Sequence, residues 1–467
     1  IEHDLARLRA IEVELEARQV VGDLDGKRMT ELRKARDRTR DKLDHLAEKS
    51  GREVFDWKTY FHSETLESLS LQVESVLEPG VAIVSLFSTE TGVCTHVLYR
   101  PGAEVVGESW LTPGGREDRR RAALGSARGR PPGESSTTAR SWDRDLVAAP
   151  NSTGSAPGTD AFRSFLFSRI ASRLRTARVR RLIVIPHQEL ALVPYWGLAD
   201  SCDSLESLIV APSFEVLRHC LARGRPEVGP TLIVGDLTRT LAHAPREVEL
   251  VRDARSASTV VETVASYAEF RQLAPTCSLV HVAGHGNFDA ENPYESGFPL
   301  APEDGARGYF ARYTPVSEFR PSPEPRPGSL RLLTVAACMS ELRLDSCRLA
   351  VLSTCESGIP RQHAGGELLG LPNAFLLAGA KSVVASLWKV HDGATYLLMK
   401  AFYETWAGGT GSEPSPARAL ACARGRLRQT DRSEACAILG GDASIPDGEF
   451  PFRPPMYSDA FHCFGSW

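Results

Sequence analysis

At 467 residues, with 42% hydrophobic and 24% charged content, the chain is long enough for two or three domains and ordinary enough in composition to bury a sizeable core. A formal net charge of −4 offers no basic excess of the kind that phosphate-backbone binding draws on, so a direct nucleic-acid partner is not expected. No apolar run reaches the roughly 18 residues a membrane span needs, and Ile1-Glu-His-Asp4 carries no signal-peptide pattern; a cytoplasmic protein without membrane contact is expected, and the missing initial Met points to a longer parent chain.

Residues 1–60 open as a charged helical segment. Ile1, Leu5, Leu8, Ile11 and Leu15 recur every three to four positions, and Met29, Leu32, Leu43 and Leu46 resume the pattern after Gly22-Asp-Leu-Asp-Gly26. This spacing predicts an N-terminal helical hairpin, the end of a repeat array or of a regulatory module. From Leu66 a short helical pattern runs to Leu77. Val81-Ala-Ile-Val-Ser-Leu-Phe87 and Val93-Cys-Thr-His-Val-Leu-Tyr99, separated by a turn, then predict a β-hairpin. Residues 112–160 are rich in Arg, Gly, Pro and Ser and read as a mobile loop.

Short β-branched runs follow at 181–186, 208–211, 231–235, 279–283, 349–353 and 382–386. Amphipathic stretches lie between most of them, notably 161–175, 246–255 and 367–378. Continuous apolar strands with helical crossovers predict an α/β fold, a mostly parallel sheet with helices on both faces. Residues 304–330, rich in Pro and Arg, read as a long surface loop.

Two strand ends carry chemistry. Leu279-Val-His-Val-Ala-Gly-His-Gly286 ends on a histidine between two glycines, and Leu349-Ala-Val-Leu-Ser-Thr-Cys-Glu-Ser-Gly358 ends on a cysteine. Ligands and chemistry collect at the carboxyl ends of parallel strands. A thiol attacks only as thiolate and its ordinary pKa lies near 8.5, so an adjacent imidazole activates it. His285 and Cys355 are therefore the candidate base and nucleophile, and the backbone N–H groups of Gly286 and Cys355 the candidate oxyanion donors. Taken singly, His285 also fits a strand-end residue bonded to a carbonyl, and Cys355 a buried thiol.

The other nine cysteines (94, 202, 220, 277, 338, 347, 422, 436 and 463) have no framework spacing and read as small buried hydrophobes of a reducing compartment. His281 and His285 sit four apart on a strand, about 13 Å, too far to share an ion, so no metal is expected. Gly235-Asp-Leu-Thr238 follows a strand, but both phosphate-loop patterns are missing and no nucleotide cofactor is expected either. In Ser382-Val-Val-Ala-Ser-Leu-Trp-Lys-Val-His-Asp392, Trp388 and Asp392 are candidate substrate contacts; a core-capping Trp and a helix-capping Asp are the alternatives.

These motifs, together with Gly365-Gly-Glu-Leu-Leu-Gly-Leu-Pro-Asn-Ala-Phe-Leu-Leu-Ala-Gly-Ala380, Val184-Ile-Pro-His-Gln-Glu-Leu-Ala-Leu-Val-Pro194, Pro245-Arg-Glu-Val-Glu249 and Met456-Tyr-Ser-Asp-Ala-Phe-His-Cys-Phe-Gly465, resemble the CHAT family over residues 66–467. These are caspase-like cysteine peptidases, often joined to tetratricopeptide repeats, in the clan of caspases, metacaspases, gingipains and separase. The resemblance implies an intracellular thiol endopeptidase with a His285/Cys355 dyad. It also implies a degenerate caspase-like lobe at 66–230 supporting a catalytic part at 231–467, and no cofactor. The partners implied are a specific protein substrate and a gating sensor, repeat module or nucleic-acid-guided complex. Bacterial defence is the implied setting, CRISPR-associated or gasdermin-linked. Where metacaspases that cut after basic residues carry Asp, two positions before the Cys, this chain has Ser353, a candidate pocket residue that argues against a strong basic preference. A catalytically silent caspase-like scaffold is the alternative from another class. A metal- or nucleotide-dependent hydrolase has only the fold behind it.

Overall fold

In the computed structural model the alternating apolar runs and amphipathic segments build one eleven-stranded mixed sheet. The structure describes residues 76–88, 92–101, 105–113 and 157–467, except 225–226, 255–260, 265, 288–292, 302–329, 355–360, 363–367, 408–414 and 442–444, together with Thr30, Glu31, Lys34, Ala35 and Arg38. Apart from those five residues, which are helical, the expected N-terminal hairpin lies outside the described residues, as do most of the 112–160 loop and residues 304–329 of the 304–330 loop.

The chain opens on β1 (Val81–Ser88), β2 (Gly92–Tyr99) and β3 (Val106–Pro113), an antiparallel meander in which Ser88 pairs with Val93 and Gly92 with Pro113. Helix α1 (Pro157–Thr176) leads to β4 (Arg181–Pro186), and α2 (Trp196–Asp200) to β5 (Ser207–Val210). There follow α3 (Phe214–Ala222), β6 (Thr231–Val234), α4 (Ala244–Asp253), β7 (Val261–Val264), α5 (Tyr267–Leu273) and β8 (Leu279–Gly284). A side hairpin of β9 (Gly297–Leu300) and β10 (Arg331–Thr334), then α6 (Val335–Glu341), separates β8 from β11 (Leu349–Thr354). Beyond it come the short pair β12 (Arg361–Gln362) and β13 (Leu368–Leu369), α7 (Leu371–Ala378), β14 (Ser382–Ser386), α8 (Asp392–Ala407), α9 (Pro416–Gln429), α10 (Arg432–Leu439), α11 (Pro455–Ser458) and β15 (Phe461–Gly465).

The strand order is β3-β2-β1-β4-β5-β15-β14-β11-β8-β6-β7. Strands β1, β4, β5 and β15 run parallel to one another, as do β14, β11, β8, β6 and β7, and the two sets meet antiparallel where β15 pairs with β14. The carboxyl ends of the two sets therefore open on opposite edges. Helices cover both faces, and the strands at the centre are fully buried, the pattern of a doubly covered α/β sheet. All six predicted parallel strands and the predicted hairpin are present. Strands β1 to β3 form the antiparallel part of the sheet, in keeping with the hairpin expected at 81–99 and a sheet that is mostly parallel elsewhere. Strand β3 reaches 113, so the 112–160 loop prediction began too early, and α1 starts at 157 inside it.

Gly465 shows how tightly the seam is packed. Its φ of +97° lies in the left-handed region, and a Cβ there would stand 2.6 Å from the Lys381 carbonyl oxygen.

Candidate active site

Strands β8 and β11 lie side by side in parallel, with Leu279 level with Leu349 and Gly284 level with Thr354. Each then leaves the sheet at the same edge. His285 is the residue after Gly284, and Cys355 is the residue after Thr354. Cys355 lies outside the described residues; its supports do not. Ser386, the last residue of β14, donates its buried hydroxyl to the Thr354 carbonyl at 2.8 Å, fixing the peptide unit that leads into the cysteine.

His285 is half-buried, and its Nε2 lies 2.5 Å from Thr240 Oγ1. Thr240 belongs to the turn that follows β6, the next strand in the sheet, and Asp236 organises that turn. Asp236 Oδ1 accepts from the Thr238 backbone N–H at 3.0 Å and from the Thr238 hydroxyl at 2.6 Å. Its Oδ2 accepts from the backbone N–H groups of Thr240 and Leu241 at 2.8 and 2.9 Å. The hydroxyls of Thr238 and Thr240 are 2.8 Å apart. Arg239, between them, takes a φ of +55° and its N–H closes onto the Asp236 carbonyl. Gly235-Asp-Leu-Thr238, a weak nucleotide signal in the sequence, is thus the start of the turn that reaches the histidine. An Asp followed by two Thr after a strand could have signalled a polar turn; its reach to His285, 45 residues on, has no local signal.

Among the described residues no acceptor takes the Gly286 N–H, while the next residue, Asn287, exchanges backbone hydrogen bonds with Gly297 at 2.8 Å in each direction. Ser353 is 6% exposed, and its Oγ has no hydrogen-bond partner among the described residues. Trp388 and Asp392 each take a backbone partner. The Trp388 side chain is buried and donates Nε1–H to the Met456 carbonyl at 2.9 Å, which is the core-capping alternative. Asp392 opens α8, but its carboxylate accepts the His243 backbone N–H at 2.9 Å and so ties α8 to the start of α4. The cap on α8 comes from His391, whose Nδ1 accepts the Ala394 N–H at 3.2 Å.

His281 has its partners inside the protein. It is fully buried with Nδ1 2.8 Å from the Tyr403 hydroxyl and Nε2 3.0 Å from Glu247 Oε1, joining β8 to α8 and α4. Among the described residues no three His, Cys, Asp or Glu side chains gather as a metal site. Of the other nine cysteines, six are buried, Cys94 and Cys436 are half-buried and Cys422 is exposed, so the expectation of uniformly buried thiols fails at three positions. Burial pushes the thiols of Cys220, Cys347 and Cys463 up to about 12, which makes them inert near neutral pH.

A profile of the CHAT domain matches residues 156–465, well over half of the chain. The chain belongs to the CHAT domain family. Among curated relatives of this CHAT protein, tetratricopeptide repeat protein 28 of Mus musculus is 26% identical over 52% of the chain and 11% of its own length. Separin of Emericella nidulans is 39% identical over 14% of the chain and 3% of its own length. The CHAT chain thus spans a small part of these relatives. Similar solved structures include separase in the Saccharomyces cerevisiae separase–securin complex, at 13% identity with TM-score 0.40, covering 100% of this chain and 27% of that one. The Arg-specific cysteine proteinase gingipain R has 8% identity and TM-score 0.39, covering 66% of this chain and 68% of that one. At these scores the family assignment rests on the profile match. No helix among the described residues is long and apolar enough to cross a membrane.

Proposed function

We propose that this CHAT protein is a cysteine endopeptidase in which His285 is the general base and Cys355 the nucleophile. The observation that carries the reading is the β8/β11 register, because Gly284 level with Thr354 delivers the two residue types that thiol catalysis needs at neighbouring strand ends. His285 takes the thiol proton, and the thiolate attacks the scissile carbonyl. The oxyanion settles on the N–H groups of Gly286 and Cys355, and the imidazolium returns its proton to the leaving amine. Water, deprotonated by the same histidine, then releases the acyl group. The chain's own residues supply this sequence without a cofactor. Ser353, small and uncharged, supports a pocket that does not favour a basic side chain.

The target is a specific protein, and the site is gated in the cytoplasm by an attached repeat or sensor module, in the manner of a bacterial defence effector. The relationship to a tetratricopeptide repeat protein supports such a module. A proteome-derived peptide library, incubated with the protein and read by mass spectrometry, tests the activity. Cleavage that vanishes in both Cys355→Ala and His285→Ala supports the peptidase. Stable capture of a partner without cleavage, unchanged by either substitution, would instead support a scaffold.

A further inference from the structure

Thr240, Thr238 and Asp236 form a one-way hydrogen-bond chain that ends on His285, and its direction follows from counting protons. A hydroxyl has one proton to give, and a carboxylate only accepts. Thr238 spends its proton on Asp236 Oδ1 at 2.6 Å, so across the 2.8 Å contact between the hydroxyls it is Thr240 that donates. With its own proton committed, Thr240 Oγ1 can only accept from His285 Nε2 at 2.5 Å. The turn holds this order rigidly, because the Thr238, Thr240 and Leu241 backbone N–H groups all close onto the same carboxylate.

We infer that Asp236, Thr238 and Thr240 are positioning residues that hold His285 in the Nε2–H tautomer and so place its basic lone pair on Nδ1. The inference rests on the peptidase reading and deepens it: in the proton step the Cys355 S–H bond breaks and an Nδ1–H bond forms. The resulting imidazolium keeps its Nε2–H on Thr240, and the positive charge is felt through two hydroxyls by the Asp236 carboxylate. A histidine's reactive nitrogen is set by the bond its other nitrogen makes. This turn therefore decides which nitrogen acts as the base.

The test uses the full chain labelled with 15N-histidine, the His285 signals being assigned by their loss in His285→Gln. The neutral wild-type ring is expected to show a protonated Nε2 and a pyridine-like Nδ1. Thr240→Val should turn this into a mixture of tautomers, and Thr240→Ser should restore it. In parallel, iodoacetamide labelling of Cys355 should slow about tenfold in Thr240→Val and return to within about twofold in Thr240→Ser. Thr240 is exposed, so both variants should keep the wild-type melting temperature; Thr238→Val, which cuts the chain one link earlier, provides a second break. A wild-type Nδ1–H tautomer, or an Nε2–H tautomer that survives both Val variants, overturns the inference. If His285→Gln leaves Cys355 labelling unchanged, the dyad fails, yet the tautomer readout still decides the relay.

Discussion

The sheet contains two versions of the same corner. In one, β4 runs parallel to β1 with Pro186 level with Leu86, and the next residue is His187. In the other, β8 runs parallel to β11 with Gly284 level with Thr354, and the next residue is His285. Beside His187 stands Phe87, stacked on the imidazole at 4.1 Å and 9°, and His187 Nδ1 accepts the Ser88 backbone N–H at 3.3 Å. At the second corner Thr354 is followed in sequence by Cys355, and the His285 ring is engaged by Thr240 of the turn after β6. A histidine at a parallel strand end is thus not by itself a catalytic group. What faces its nitrogens decides whether it staples a strand or prepares a base.

The comparison breaks most sharply at Cys355. Cys355→Ala should cut peptide cleavage by about three orders of magnitude or more while leaving the thermal midpoint unchanged. Phe87→Cys introduced into that variant should restore nothing, because the His187 Nδ1 lone pair already holds Ser88. Cleavage recovered in the double variant would show that the two corners are interchangeable.

The next largest effect concerns what joins the two sets of strands. Arg424 of α9 is buried, 2.6 Å from Asp459 through Nε and 2.8 and 2.7 Å from Asp200 of α2 through its two terminal nitrogens. Arg424→Ala leaves the buried Asp459 uncompensated and should cost about 3–5 kcal/mol, read by urea unfolding. A loss below about 1 kcal/mol would mean that the strands alone hold the halves together.

A smaller effect should appear with pH at the seam. His462 in β15 is fully buried, its Nε2 accepting the Tyr195 N–H at 3.2 Å, and desolvation pulls its pKa from the ordinary 6.5 to about 3. Between these values the unfolded chain binds a proton that the folded chain refuses. Stability therefore falls as pH drops from about 6.5 towards 3, by on the order of a few kcal/mol. His462→Gln should flatten that part of the stability profile, and an unchanged slope would assign it to other groups. The smallest expected effect is His187→Ala, which should change Cys355 alkylation less than about twofold if the first corner is purely structural.

The sequence carried the strands because each was a run of β-branched residues, from Arg181-Leu-Ile-Val-Ile-Pro186 to Ser382-Val-Val-Ala-Ser386. It did not carry β15, where Phe461-His-Cys-Phe-Gly465 has no β-branched residue and is recruited by partners on both sides. His285 was legible from its glycines, while Thr240 was not, since nothing local shows that the turn after β6 folds back over β8. Trp388 and Asp392 were candidate cleft contacts by their place beyond β14, with core and capping roles as alternatives, and what the sequence did not show is the backbone partner each takes: the Met456 carbonyl for the indole N–H and the His243 N–H for the carboxylate.

The position of β15 also bears on how the chain is made. Strands β5 and β14 sit on either side of it, and neither has its inner neighbour until residues 461–465 emerge from the ribosome. During synthesis, with the corner holding His285 and Cys355 already translated, the sheet stays in two pieces with two unpaired edges, a state open to aggregation and suited to chaperone capture. Any truncation short of Phe461 should strand the protein there, because the two sets of strands join only once β15 has been made.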